Sequence, residues 1–242
     1  AEEIASNKAR LLQREAATGF AQLSNFLNHA RKRARSLLHF LIPKMAATLW
    51  ASEDEAVWES HLDAIEQRMR ASGKTTKYGS LKALHKKWTN LQGQSELSKD
   101  DLVLVVGYKL TRGKMRPLMR FAEAMHDNEV RKASKAAIAA IPDARKACDA
   151  LTALTGIGVA TASVCLAAVD DRLPVMSDEA LEAVLGEPEH SKKYDLDSYE
   201  RLLEACAAKA KKLGGLWTPR AVEEALFSAS LEQPAAKRKR GD

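Results

Sequence analysis

The segment "LTALTGIGVATASVC", residues 151–165, decides the predicted fold. Leu151 and Leu154 share one helix face, and small or apolar residues resume after the glycines at 156 and 158. Glycine adopts positive φ without strain and has no Cβ, so the chain can turn sharply here and another group can approach the backbone closely. The segment therefore predicts two helices that pack against each other around a very short connection.

The same turn predicts an anion site. Backbone amides of the connection and of the first turn of the second helix would point outward at the positive end of the helix dipole. This geometry is a helix-hairpin-helix, which suits one DNA phosphate and reads no base sequence. The predicted DNA contacts of the turn are Gly156, Ile157, Gly158, Val159 and Thr161. The alternatives are a purely structural turn and a hairpin that contacts another protein.

Helical periodicity extends over almost the whole 242-residue chain, whereas alternating β-branched residues are nearly absent. We therefore predict an all-α fold, a multi-helix globule of about ten helices. The apolar run "LVLVV" could also form a buried strand, but the capping box before it, Ser98 with Asp101, favours a helix. The predicted helices are 2–41, 52–73 (capped by Ser52 with Glu55), 80–93, 98–110, one that begins near Pro117, one capped by Asp127 or Asn128, 142–156, 159–169, 177–185, 197–213 and one that begins at Thr218 and Pro219.

The net charge is +6, and the placement of the cations favours a polyanionic partner. Two stretches, 73–95 and 107–120, each carry five Lys or Arg residues and no acid, and "RKRAR" occurs at 31–35. A glycine turn beside a helix start is a ready anion site, so Arg112, Lys114 and Arg116 are predicted to face DNA. The alternative for any single run is a solvated helix face.

The segment "PAAKRKRGD", residues 234–242, is similar to a nuclear import signal, carried by Lys237, Arg238, Lys239 and Arg240. We therefore expect a nuclear protein whose partners are DNA and a nuclear import receptor; a solubilising tail is the alternative. No apolar run is long enough to cross a bilayer, so no membrane partner is expected. The six histidines and three cysteines show no ligand spacing, and we expect buried thiols, no metal and no cofactor.

Residues 154–181 resemble the helix-hairpin-helix DNA glycosylase superfamily, the endonuclease III-like group. The family hairpin has the pattern L-x-G-h-G-x-x-T-A, which residues 154–162 match, and an aspartate follows at the start of the next helix, where this chain has Asp178. Upstream, "VGYKLTRGKMRPLM" is similar to the family's Gly-aromatic turn and Lys-bearing helix. The resemblance implies that Asp178 is catalytic, because a carboxylate stabilises the oxocarbenium character of the sugar and orients the nucleophile as the base leaves.

The chain also departs from the family pattern. Ala160 stands where bifunctional members carry the lysine that attacks the sugar, so water would be the nucleophile unless a lysine comes from elsewhere. The family's four-cysteine cluster is absent. Ser177 and Glu179 flank Asp178, unlike the usual "VDT-H" style of sequence. A simple helix cap is the alternative role for Asp178.

The predicted function is DNA binding, with base-excision glycosylase as the most concrete activity. One alternative is a catalytically inactive DNA-binding or scaffold protein of the same architecture, and another is a protein-interaction module with an incidental hairpin. The predicted domains are an N-terminal helical region (1–97), a glycosylase-like core (98–186), C-terminal helices that pack back on the fold (187–232) and a basic tail expected to be disordered (233–242).

Overall fold

The computed structural model describes residues 45–186, 193–215 and 217–232. The predicted helix 2–41, the basic run at 31–35 and the predicted import signal, Lys237, Arg238, Lys239 and Arg240, lie outside these ranges. The chain from Met45 onward forms one unit by its internal contacts. Helices before and after residue 98 therefore share one core.

The fold is all-α, as predicted from the helical spacing. Twelve helices and one pair of very short strands are present in the part of the chain that the structure describes. The helices are α1 (Met45–Ala51), α2 (Glu55–Asp63), α3 (Ile65–Ala71), α4 (Leu81–Thr89), α5 (Lys99–Arg112), α6 (Met119–Ala124), α7 (Asp127–Ala140), α8 (Ala144–Thr152), α9 (Val159–Val169), α10 (Asp178–Leu185), α11 (Leu196–Leu213) and α12 (Pro219–Ser230). None of these helices is long and apolar enough to span a membrane.

The antiparallel strands β1 (Thr75–Thr76) and β2 (Gly79–Ser80) form a small hairpin between α3 and α4. The sequence did not predict it, because two-residue strands leave no alternation of polar and apolar residues to detect.

Local capping residues set most of the helix starts. The capping box before α5 is present: the Ser98 hydroxyl accepts from the Asp101 amide at 3.2 Å, and the Asp101 carboxylate accepts from the Ser98 amide at 2.9 Å. Side-chain caps are also found at the predicted residues Ser80, Asp143, Ser177 and Thr218. These predictions depend on partners only two or three residues away in the chain.

Two predicted caps are wrong. Asp54, rather than Ser52, caps α2 by accepting from the Ala56 amide at 3.0 Å, and the predicted helix 52–73 is broken at Ala64 into α2 and α3. Asp127 is the first residue of α7 and does not cap it. Its carboxylate accepts instead from the Lys99 amide, 2.8 Å away at the start of α5.

The loop between α5 and α6 also differs from the prediction. Helix α5 continues through Arg112, and α6 begins only at Met119, two residues after Pro117. Lys114 and Arg116 therefore lie in this connection, residues 113–118, and not at a helix start.

Helix α9 lies in the core, where every residue from Thr161 to Val169 is buried. The Trp88 indole of α4 donates to the Val164 carbonyl at 3.0 Å and stacks on Tyr108 of α5, with ring centroids 5.0 Å apart. The three cysteines, Cys148, Cys165 and Cys206, are free and buried, which confirms the expected buried thiols. The core thus fixes α9 along most of its length and leaves its first turn at the surface.

Candidate functional site

The turn between α8 and α9 has the predicted glycine geometry. Gly156 adopts φ +80°, in the left-handed region that favours glycine. Phe121 of α6 packs directly on it: a Cβ on Gly156 would lie 2.5 Å from the Phe121 Cγ. Gly156 is therefore needed both for its backbone conformation and for the space that the Phe121 ring occupies. Two helices with a short connection are present; that the connection is a helix-hairpin-helix motif stays a prediction.

The first turn of α9 carries unpaired donors. The amides of Gly158, Val159 and Ala160 donate to no atom in the described ranges of the chain. Gly158 is exposed, and a Cβ built on it would meet nothing within 4 Å. The start of α9 therefore presents N–H groups at the positive end of a helix dipole, and Gly158 has no side chain there.

Two residues of this turn that were predicted to contact DNA have their backbone amides occupied. The Ile157 amide donates to the Leu154 carbonyl at 3.1 Å, and the Ile157 side chain is buried. The Thr161 amide donates to the Gly158 carbonyl at 2.8 Å. Both amides are occupied by the turn itself and are not free to bind an anion.

A buried serine joins the first turn of α9 to the segment that precedes α10. The Ser163 hydroxyl donates to the Ala160 carbonyl at 3.2 Å and accepts from the Met176 amide at 2.9 Å. Asp178 follows Met176 by two residues, which span at most about 7 Å of chain. The backbone that precedes α10 is therefore hydrogen-bonded to α9 near the first turn of that helix.

Asp178 is partly exposed at the first position of α10. The Tyr194 hydroxyl donates to its Oδ1 at 2.6 Å. The cap of α10 is Ser177, whose hydroxyl accepts from the Ala180 amide at 3.2 Å. The alternative role of Asp178 as the helix cap is therefore wrong, although its charge at the first turn is still favourable to the helix dipole.

Lys109 of α5 completes a charged cluster with Asp178. Burial and, next, the nearby Arg116 lower the pKa of Lys109, while Asp178 acts in the opposite direction. The Arg116 guanidinium lies 6.0 Å from the centroid of the Tyr194 ring. We call these four residues, Lys109, Arg116, Asp178 and Tyr194, the Asp178 cluster.

Glu179, the residue after Asp178, interacts with other groups than Asp178 does. Burial lowers the pKa of Lys74, and Glu179 is the nearby group that opposes this shift. The Lys74 ammonium donates to the Arg112 carbonyl at 2.8 Å, at the end of α5. Asp178 and Glu179 therefore interact with different lysines, although they are adjacent in sequence.

Arg112 does not face solvent, so its predicted contact with DNA is corrected. The residue is 4% exposed, and its side chain forms an ion pair with Glu223 of α12 and stacks on Phe227, with the guanidinium 3.8 Å from the ring centroid. Burial opposes the charge of Arg112, but Glu223, Tyr108 and Glu179 together raise the pKa of Arg112. Glu223 also accepts from the Ser177 hydroxyl at 2.6 Å, so the pair anchors the start of α10.

Lys114 and Arg116 are exposed, in keeping with a surface role. The sequence did not point to Lys109 as distinct from its basic neighbours, nor to Tyr194. Only the folded structure relates them to Asp178: Tyr194 contacts Asp178 from 16 residues further along the chain, and Lys109 lies on another helix. No local spacing could have found either residue.

No group of three or more His, Cys, Asp or Glu side chains suited to a metal ion is found among residues 45–186, 193–215 and 217–232. Comparison of the chain with protein-family models, with curated protein sequences and with solved structures finds no match. The function therefore has to be inferred from the geometry of the chain itself.

Proposed function

We propose that this protein binds DNA through the phosphate backbone, with the first turn of α9 as the phosphate site. The observation that carries the proposal is the set of unpaired amides at Gly158, Val159 and Ala160, at a helix N-terminus where Gly158 is exposed and the next two residues are partly buried. Unpaired N–H groups at this end of a helix favour an anionic acceptor, and phosphate is a common one.

Cations lie beside this turn. Phe121 packs on Gly156, and the residue before it, Arg120, is exposed with its guanidinium 4.7 Å from the Phe121 ring centroid. Arg116 and Lys114 lie a few residues earlier in the chain, in the connection that precedes α6. Arg and Lys contacts to phosphates set the position of a protein on a duplex without reading its sequence. This arrangement supports backbone binding to duplex DNA.

A second candidate function is hydrolysis of the N-glycosidic bond of a damaged nucleotide. The observation that favours it is the partly exposed Asp178 carboxylate at the start of α10, which Tyr194 orients through one oxygen. A fixed carboxylate there would stabilise the positive charge that develops on the sugar and orient a water molecule. With Ala160 at the family's lysine position, water is the proposed nucleophile. The nuclear location remains a prediction from the tail.

DNA binding is tested by fluorescence anisotropy of a labelled duplex over a range of salt concentrations. Gly158→Asp places a carboxylate in front of the unpaired amides, while aspartate is itself a favourable cap for α9. Wild-type affinity should fall with rising salt, and Gly158→Asp should weaken binding by at least about tenfold. Salt-independent binding, or equal affinity in the variant, would refute the phosphate site.

Thr218→Asp is the matched control, because it adds the same charge at the cap of α12. Arg220, two residues later, donates to the Ala167 carbonyl at 3.0 Å, close to the end of α9. Helix α9 has 11 residues and is therefore about 16 Å long. The control charge thus lies at the opposite end of α9, and the affinity of Thr218→Asp should stay within about twofold of wild type.

Hydrolysis is tested with a panel of duplexes that carry damaged bases. We expect base release from at least one duplex by the wild type, loss of release in Asp178→Asn and retention in Glu179→Gln, since Glu179 interacts with other groups. Equal release by Asp178→Asn, or no release from any duplex of the panel, would leave DNA binding without catalysis as the function.

A further inference from the structure

The five lysines of the basic run 73–95 have different surroundings in the fold. Two of them have partners: Lys82 pairs with Glu66 at 2.8 Å, and Lys74 is held at the end of α5. The three exposed ones are Lys77, Lys86 and Lys87. Exposed lysines are common and need no function. Lys77 is distinguished by its position at the tip of the β1–β2 hairpin, whereas the other two lie on α4.

Strand β1 is attached to the last turn of α5. The Lys74 ammonium, one residue before the strand, donates to the Arg112 carbonyl at 2.8 Å. The hydroxyls of Thr76 and Thr111 are hydrogen-bonded to each other at 2.7 Å. A two-stranded hairpin is at best marginally stable by itself. These contacts therefore hold the hairpin against the end of α5, where the connection 113–118 begins.

The tip of the hairpin lies beside the other end of this connection. Tyr78 packs on Gly107 of α5: a Cβ on Gly107 would lie 3.3 Å from the Tyr78 Cβ and 3.6 Å from the Met119 Cε. Tyr78 is therefore a neighbour of Met119, the first residue of α6, and Phe121 two residues later packs on the turn before α9. The Lys77 ammonium lies 5.2 Å from the centroid of the Tyr78 ring. Contacts thus run from the hairpin tip through the start of α6 to the proposed phosphate site.

We propose that the β1–β2 hairpin is a second DNA contact, in which Lys77 binds a backbone phosphate of the duplex held at the start of α9. This inference rests on the proposed DNA binding. A lysine ammonium is a compact point charge that pairs with a phosphate without reading the base. The anchored hairpin presents this charge from a fixed backbone, and the exposed Lys114 and Arg116 of the adjacent connection continue the basic surface. An acidic protein segment would also attract these cations, but the unpaired amides of α9 favour a phosphate.

The test measures the salt dependence of duplex binding by the full chain, with fluorescence anisotropy of a labelled duplex. Each phosphate contact contributes about −0.9 to the slope of log K against log salt concentration. Lys77→Gln should therefore make the slope less steep by about one and weaken binding by roughly five- to tenfold at about 0.1 M salt, to a similar extent for duplexes of different sequence. Lys77→Arg keeps the charge and should retain the wild-type slope.

Lys211→Gln is the matched control, because it removes an exposed lysine near the end of α11. The Lys209 ammonium beside it donates to the Trp50 carbonyl at 3.0 Å, so this end of α11 lies against the end of α1. Lys211→Gln should keep the wild-type slope.

A wild-type slope in Lys77→Gln, or an equal loss of slope in Lys211→Gln, overturns the hairpin contact. So does weaker binding of Lys77→Gln to polyglutamate with no change on DNA. Absence of salt-dependent duplex binding by the wild type instead overturns the proposed function, whereas binding that Gly158→Asp weakens and Lys77→Gln leaves unchanged overturns the hairpin contact alone.

Discussion

Gly156→Ala gives the most direct test of the turn between α8 and α9. The residue has φ +80°, and a side chain in the left-handed region costs roughly 1–2 kcal/mol. The new Cβ would also lie 2.5 Å from the Phe121 Cγ and 2.8 Å from its Cβ, so the ring must move. Overpacking of this kind costs about 1–3 kcal/mol. The free energy of unfolding should therefore fall by roughly 2–5 kcal/mol.

Urea denaturation followed by circular dichroism measures this loss as a lower midpoint with an unchanged slope. Gly158→Ala is the matched control, since its φ is −99° and its Cβ would meet nothing within 4 Å. Alanine is a poorer cap than glycine, but it also reduces the entropy of the unfolded chain, and the two effects oppose each other. We expect a change within about 1 kcal/mol for Gly158→Ala.

A double-mutant cycle separates the two costs at Gly156. In a Phe121→Ala background the ring is gone, so Gly156→Ala should cost only the roughly 1–2 kcal/mol of backbone strain. Equal costs in the two backgrounds would show that Phe121 does not constrain the turn. A total loss below about 1 kcal/mol in the wild-type background would contradict the positive φ as well.

Three further predictions concern the buried charges around α12. Arg112→Met leaves the Glu223 carboxylate buried without its cation and should lower the free energy of unfolding by about 3–5 kcal/mol. Most of this loss should be recovered in the double variant Arg112→Met/Glu223→Gln. Urea denaturation at pH 7 measures the stability of the two variants. Burial raises the pKa of Glu224 to about 7 from 4.5, so the native state retains this proton at a pH where the unfolded chain has lost it. The free energy of unfolding should therefore fall by about 3 kcal/mol as the pH rises from 4.5 to 7. Glu224→Gln should abolish this fall and should be more stable than wild type at about pH 8. Burial and, next, Arg112 lower the pKa of His85 to about 4 from 6.5, so stability should also fall as the pH drops from 6.5 to 4. Glu224 opposes this trend in wild type, so the fall should be measured by denaturation of Glu224→Gln across that pH range. A flat stability profile of Glu224→Gln would contradict a buried, neutral His85 imidazole.

Much of the fold could be predicted because its helix signals are local. The Ser98 box, the Thr218 cap with Pro219 after it, and the glycines of the turn each act within a few residues. One failure is local, since Asp54 rather than Ser52 caps α2, and the other involves a tertiary partner of the side chain. Asp127 lies one residue inside its helix, and its carboxylate accepts from the Lys99 amide of α5 at 2.8 Å. A single sequence contains no signal for that partner.

The candidate site could be predicted only in part for the same reason. The glycine turn and Asp178 lie in one contiguous segment, so their spacing could be recognised in the sequence. Arg112 and Arg116 are four residues apart in one basic run, yet one is buried against Glu223 and the other is exposed. Which cation enters the core depends on a carboxylate 111 residues away. Charge density along the chain therefore predicted a basic surface but assigned one interior residue to it.

The start of α10 shows how the fold gives neighbouring residues different tasks. Ser177 is buried, caps the helix and donates to Glu223, so the backbone at this point is anchored to α12 and, through Arg112, to α5. Asp178, one residue later, is partly exposed and meets Tyr194. A carboxylate that must stabilise a developing positive charge works best when it need not reorganise, which requires a fixed backbone and an accessible oxygen. Ser177 supplies the first condition and the exposure of Asp178 the second. An exposed acid on a helix end that is not anchored would have an accessible oxygen but no fixed backbone. For this reason the buried ion pair of Arg112 with Glu223 supports the proposed role of Asp178 more than a further surface cation would.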